Sequence, residues 1–482
     1  MAKFAIPASD QILRQFLQIS DDIIAAATTQ EDFLACFSSN WKYGKSLKSL
    51  RLLVEHNLSL VVETLGKWRQ NTHRDISQRY GGRTDRERLL VLCKRGAMEI
   101  IFLESALEIL GEYDDSFFSC KEFVSFYENL QQAVFRWLIN GEDLIPNELT
   151  NLRTYVVDTS ARLVGASSRI NLLHSLDHFI RLLNERVGPK RDAKEDPNTA
   201  RIQSIRLAGG MRYVSLSFRD DAQLRAAASF LRRAHPLAHT AAARKSQLHH
   251  AICEMLTSTL APLVRQDRPH ALTLARRFSP AAAQEWFSAV HALRADIYQW
   301  VVKHPKHIAA GYPLFTSLVC LSDDEAYAAG LDMTLEFLHK SMRGGGAAAT
   351  AFGMISDSKE TKETRVVCVR CLVLLAVSYV ARYGHAMPNK HELYKWLERA
   401  LRPVLTAAKK GSLTIQEQLD VMLPLIELAP EFVMERIILD LLQSDQYECV
   451  IASLKALAAI TTGPKLLLSA ASTHRVGGGG GG

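Results

Sequence analysis

Strand signal is nearly absent from this chain. In 482 residues only Gly209–Asp220, GGMRYVSLSFRD, alternates, with Val214, Leu216 and Phe218 on one side and Tyr213, Ser215 and Ser217 on the other. It is expected to form one short extended segment after a glycine turn, too little for a sandwich or a βαβ fold. Cysteine is sparse and scattered. Of eight cysteines the close pair is Cys368 and Cys371, with no second CxxC to complete a zinc site. Their context, VVCVRCLVLLAVSYV, reads as a buried helix, so a structural role is expected.

Long apolar runs are missing too. The start, MAKFAIPASDQ, has no apolar signal core. Cys371–Ala381 is too short to span a bilayer, and His307–Ser322 carries Gly311 and Pro313 and still falls short. No transmembrane segment is expected, and a cytosolic, reducing compartment fits. Charge of one sign is modest, at +7 overall. With no basic helix or arginine-rich tract, this reads as a slightly positive solvated surface, and no nucleic-acid partner is expected. Catalytic signatures are also lacking: there is no G-x-S-x-G, no G-x-x-x-x-G-K-[ST] and no kinase glycine loop. Gly209–Gly210 lacks the third glycine of a dinucleotide turn.

What the sequence does contain is helical periodicity. Trp286, Val290, Leu293, Ile297 and Trp300 recur at steps of four, three, four and three, which puts them on one helix face. Helix starts are marked by capping-box pairs: Thr84 with Glu87, Ser119 with Glu122, Ser322 with Glu325, Thr414 with Glu417, and more loosely Asn389 with Glu392. The acidic doublets Asp114–Asp115 and Asp323–Asp324 sit at such starts, where they complement the helix dipole.

The carboxy-terminal half divides into helix pairs: 280–303 with 305–321, 323–343 with 362–383, 389–409 with 414–429, and 430–443 with 446–461. Units of this length are those of HEAT and armadillo arrays, in which stacking neighbours supply the core that one pair cannot. The expected fold class is all-α, a HEAT/armadillo-like α-solenoid of stacked helix pairs. A polar linker is expected at 188–200 between a helical block, 41–187, and the repeats, 201–463. A low-complexity insertion is expected at 344–361. A glycine-ended tail, 464–482, points to a fragment, a truncated gene product or a flexible end.

One stretch, QLHHAICEML, offers metal or catalytic chemistry. As a helix it buries Leu248, Ile252, Met255, Leu256 and, further on, Leu263. His249 then stands one turn before Cys253, and His250 one turn before Glu254. Two such ligands are not a site, since structural zinc needs four and catalytic zinc three. His304 and His307 flank Pro305, which breaks the helix that a paired-histidine metal face would need. No catalytic, cofactor-binding or metal residue is therefore assigned, and no enzymatic activity is expected.

The run GGMRYVSLSF with AAASFLRRAHPLAHTAAARKSQLHHAICEMLTSTLAPL, and then PKHIAAGYPLFTSLVCLSD, resembles the amino-terminal region of Furry-type cell morphogenesis proteins. AVFRWLINGEDLIPNELTNLRTYVVDTSARLVGASSRI upstream resembles the same family, particularly its plant-like members. So do KKGSLTIQEQLDVMLPLIELAPEFVMERIILDLLQSD and ECVIASLKALAAI downstream. The likeness runs in order from about Glu87 to Ile460, and residues 1–40 match poorly. It implies a large HEAT/armadillo-like scaffold without catalytic activity, working with NDR-family kinases and their Mob coactivators in polarised growth and cell shape. It also implies cytoplasmic placement, including the cell cortex or growth sites, and an association of some members with microtubules. Tubulin's acidic tails would meet basic stretches such as KWRQNTHRDISQR, Lys67–Arg79. A generic adaptor for transport or vesicle traffic would have the same architecture and a different cargo.

Overall fold

The computed structural model describes residues 2–80, 84–113, 115–187, 196–238, 247–265, 274, 276–303, 308–342, 359–384 and 390–462. Among them every regular element is a helix and none is a strand. The chain forms two compact units, one of 1–215 with 236–259 and one of 216–235 with 260–482. The parts of the expected linker and insertion at 188–195 and 344–358, together with 464–482, His304, His307, Asp114 and Asn389, lie outside the described residues.

The first unit contains α1 (Ala2–Ala26), α2 (Gln30–Ser39), α3 (Trp41–Tyr80), α4 (Asp85–Gly111), α5 (Lys121–Leu144), α6 (Thr150–Ile170), α7 (Leu172–Val187) and α8 (Pro197–Gly210). Helix α3 is broken at Asn57, whose φ of −155° and ψ of 62° leave the helical region. Helix α4 packs against α1, α3 and α6 and is buried nearly all round from Val91 to Leu110. Such a helix needs apolar residues on every face, and RGAMEIIFLESALEIL supplies them with few exceptions.

Close backbone approach explains two glycines. A Cβ at Gly165 on α6 would stand 2.5 Å from the carbonyl oxygen of Tyr213 in the short 3-10 turn after α8, and one at Gly210 would stand 2.6 Å from a Leu138 methyl. Gly209 and Gly210 thus end a helix rather than form a turn. Val214 has extended backbone, and Val214, Leu216 and Phe218 are buried as the alternation implies, but among the described residues no strand forms at 214–218.

Helix α9 (Asp221–Ala238) falls mostly in the second unit and α10 (Gln247–Arg265) mostly in the first; the second unit continues with α11 (Pro280–Lys303), α12 (Ile308–Cys320), α13 (Asp324–Met342), α14 (Lys359–Tyr383), α15 (Lys390–Lys409) and α16 (Ile415–Ile426). A composite helix follows, α17 (Pro430–Phe432) and α18 (Leu439–Leu442) on either side of a π-helical turn at Val433–Ile438, and then α19 (Tyr447–Thr462). Helices α12, α14, α16 and α19 pack successively on one another, while α13 and α15 pack beside α14. This is the two-layer stacking of helix pairs expected from the sequence. The expected face of α11 is buried throughout, from Trp286 to Trp300.

Ion pairs tie the outer layer together. Arg399 meets Asp332 at 2.5 Å, Lys390 meets Glu431 at 2.6 Å, Lys409 meets Asp440 at 2.6 Å and Arg436 meets Glu398 at 3.4 Å. Their residue numbers ascend together between α15 and the 430–442 segment, so the two run parallel. These pairs are exposed and set register more than stability.

Two capping boxes form as the sequence implies, at Thr84/Glu87 and Thr414/Glu417. The other two described ones do not. The Ser322 hydroxyl donates back to Leu318, and Asp323 instead accepts from the amide of Ala326 to start α13. Ser119 closes a 3-10 turn, leaving Cys120 at the cap position of α5 with no side-chain cap bond.

The apolar run Cys371–Ala381 is part of a longer helix. Lys362–Tyr383 is long and apolar enough to cross a membrane by length and composition. Here it is the central helix of the stack, covered by α12, α13, α15 and α16.

Candidate functional site

In QLHHAICEML, His249 and Cys253 are wholly buried together with Leu248, Ile252, Met255, Leu256 and Leu263. Burial pushes the Cys253 thiol up to about 12, with Glu254 adding to the shift. A protonated thiol in the core is neither a ligand nor a nucleophile. Among the described residues no three histidine, cysteine or acidic side chains are placed to hold a metal ion. Cys368 and Cys371 lie mid-helix in α14, the first pushed to about 12 by burial and the second further still.

The thiols make a direct prediction. Cys36 is exposed and Cys120 half-buried, whereas Cys93, Cys253, Cys320, Cys368, Cys371 and Cys449 are buried. A thiol reagent added to the folded protein should label Cys36 first and Cys120 more slowly. The remaining six should react only after denaturant is added. Fast labelling of Cys253 or Cys371 in the native state would contradict the core assignment.

In the basic stretch Lys67–Arg79, three of the four cations meet carboxylates: Lys67 with Glu63 at 2.5 Å, Arg69 with Glu99 at 2.9 Å and Arg79 with Asp75 at 4.0 Å. Arg74 has no carboxylate partner among the described residues. The stretch offers less net positive charge than its composition suggests.

The densest polar arrangement lies along α4, where Glu99, Glu104, Glu108 and Glu112 interrupt an apolar helix. Arg69 of α3 grips Glu99 through both oxygens at 2.9 Å and lies over the Phe102 ring at 4.5 Å. Glu104, nearly buried, accepts at one oxygen from Arg162 at 3.0 Å and from the Tyr155 and Thr159 hydroxyls at 3.3 Å, all on α6. Glu112 pairs with Arg51 of α3. Glu108 lies between these pairs. Its carboxyl is held above the usual carboxylate range by burial, then lowered by Arg51, raised by Glu104 and Glu112, and lowered by Arg162. Three glutamates at four-residue steps are visible in LESALEILGE; the arginines that answer two of them, 61 and 58 residues away, are not.

On the same helix Lys94 is 2% exposed. Its ammonium donates to the carbonyls of Ile24 and Ala25 at 2.8 and 2.9 Å, capping the last turn of α1, and sits 4.8 Å from the Tyr80 ring centroid. A cation at a helix C-terminus satisfies otherwise orphaned carbonyls. Lys94→Met should cost about 1–3 kcal/mol, because two carbonyls lose their donor. Faster amide exchange in the last turn of α1 would show it. Burial lowers the Lys94 pKa below 10.5. A cation whose folded pKa lies below its unfolded pKa is penalised at lower pH, and the penalty fades as pH rises through the folded value towards 10.5. Wild type should therefore gain stability relative to Lys94→Met across that window.

Residues 94–465 match the family described as cell morphogenesis N-terminal. The match covers well over half the chain. The chain belongs to that family. The matched span nearly coincides with the run from Glu87 to Ile460 that resembles Furry-type amino-terminal regions, and it supports that resemblance. Family membership gives the chain a role in cell morphogenesis. Comparison with curated proteins and with solved structures gives no match.

Proposed function

We propose that this chain is a non-enzymatic scaffold of cell morphogenesis, holding an NDR-family kinase and its Mob coactivator and linking them to the cytoskeleton during polarised growth. The observation that carries this reading is the family match over 94–465, a span built of stacked helix pairs. Stacked pairs present long surfaces on which several partners can sit, and they need no deep pocket. The buried polar groups described above are engaged in joining helices, which is what a scaffold requires of them. On this reading the protein works in the cytoplasm, at the cell cortex or at growth sites.

The test is reconstitution. The purified chain is mixed with an NDR-type kinase and a Mob protein and passed over a sizing column. Co-elution of either is expected. Separate elution of all three, with capture of coat or transport-receptor proteins instead, would move the same architecture to an adaptor in vesicle traffic. A direct tubulin contact is a separate element of the proposal. It fails if co-sedimentation with microtubules is nil at low salt, where screening is least.

A further inference from the structure

Charge is modest over the whole chain but concentrated at the start of α3. Trp41–Val54, WKYGKSLKSLRLLV, carries Lys42, Lys45, Lys48 and Arg51 and no acidic residue. Arg51 pairs with Glu112. The three lysines are exposed and make no ion pair among the described residues. Tyr43, Leu50, Leu53 and Val54 are buried, which fixes the inward face of the helix. Trp41, Lys45, Lys48 and Leu52, at steps of four, three and four, then share the outward face. A second observation is apolar. Trp41 is 70% exposed and Leu52 61%, more than any other large apolar side chain described in the first unit. They stand about 16 Å apart along the helix axis, with the lysines between them. Glu55 follows at the edge of the stripe, and the break at Asn57 ends it.

We propose that this face of α3 docks onto an anionic lipid surface. On a bilayer bearing acidic headgroups the first half of the helix lies flat. Trp41 and Leu52 enter the boundary between headgroups and acyl chains, while Lys42, Lys45 and Lys48 reach the anionic headgroups. The residue types favour a lipid surface over an acidic polypeptide. Tryptophan suits an interface that is apolar on one side and wet on the other, and lysine stems lie along apolar surface with their heads in water. Lysine is also a point charge without arginine's planar fork, so it fits a fluid array of headgroups better than a fixed bidentate partner. Peptide recognition uses a groove or a sheet edge, and a stripe on one outward helix face is neither. The stripe lies outside the matched residues 94–465, so the proposal does not rest on the kinase-scaffold reading.

The experiment is co-sedimentation of the full chain with vesicles of phosphatidylcholine, alone or with phosphatidylserine as about a third of the lipid. Binding is expected to the serine-containing vesicles and should weaken as salt rises. It should fall about thirtyfold in the double variant Lys45→Gln/Lys48→Gln. The remote pair Lys395→Gln/Lys410→Gln, also exposed and removing the same charge, should bind as wild type does. Brominated acyl chains should quench part of the tryptophan emission. Trp41→Ser should abolish that quenching, since Trp68, Trp286, Trp300 and Trp396 are buried and Trp137 half-buried. Every substituted side chain is exposed, so the variants should keep the wild-type melting temperature. Equal losses in the two lysine pairs would reduce the effect to net charge and overturn the proposal. So would an absence of vesicle binding, or binding without quenching. Retention on immobilised polyglutamate without vesicle binding, lost in Lys45→Gln/Lys48→Gln, would overturn it in favour of an acidic polypeptide.

Discussion

Arg382→Met should destabilise the second unit by about 3 kcal/mol, read as a lower urea midpoint. The Arg382 side chain is 3% exposed, and its guanidinium joins three elements. It donates to the carbonyl of Cys320 at 2.9 Å and to that of Ser322 at 2.6 Å, closing the C-terminus of α12. It meets Asp324 at 2.6 Å in the first turn of α13, and it lies 4.1 Å from the Tyr327 ring centroid. Asp324 is half in water, so the ion pair itself contributes little. The loss comes from the two carbonyls left without a donor. From the other side Arg294 grips the same connection, donating to the Ser322 hydroxyl at 3.1 Å and the Ala326 carbonyl at 2.7 Å. Arg382→Lys keeps the charge but not the fork, so it should recover only part of the loss. Full recovery by lysine would mean that charge, not geometry, holds the turn.

Trp286→Ala should cost about 3–5 kcal/mol, the range for truncating a fully buried aromatic ring. Trp286 has no exposure and packs edge-on against Phe218 at 5.3 Å. Its indole nitrogen has no acceptor among the described residues. Trp286→Phe therefore removes an unsatisfied donor while keeping a ring, and its cost should stay below about 1.5 kcal/mol, as for a close change of shape. Comparable losses in the two variants would show that the indole nitrogen has a partner.

Helix periodicity made most of the fold legible. The stripe from Trp286 to Trp300 and the succession of helices α11 to α16 follow from local spacing, and local spacing is what a sequence displays directly. Features settled by competition between neighbours were less legible. Ser322 looks like a cap, but its hydroxyl is taken by Leu318 and Asp323 is better placed. The alternation at 214–218 is real, yet a strand needs a partner that no other described stretch provides. The break at Asn57 and the π-helical turn at 433–438 had no clear local mark.

At the candidate site the carboxylates were on display and their partners were not. Arg51 and Arg162 reach the α4 row across 61 and 58 positions of sequence, Arg51 to Glu112 and Arg162 to Glu104. Only packing brings such residues together. The histidines and cysteine of QLHHAICEML show the converse. Their types suggest chemistry, but the periodicity that buries Leu248, Ile252 and Leu256 also buries His249 and Cys253.

Proximity labelling with this chain as bait in cells of its own organism, read by mass spectrometry, tests the scaffold role most directly. Enrichment of an NDR-type kinase, a Mob protein or tubulin is the predicted result. Recovery of coat or transport-receptor proteins in their place would leave the helical stack standing and contradict the process assigned to it.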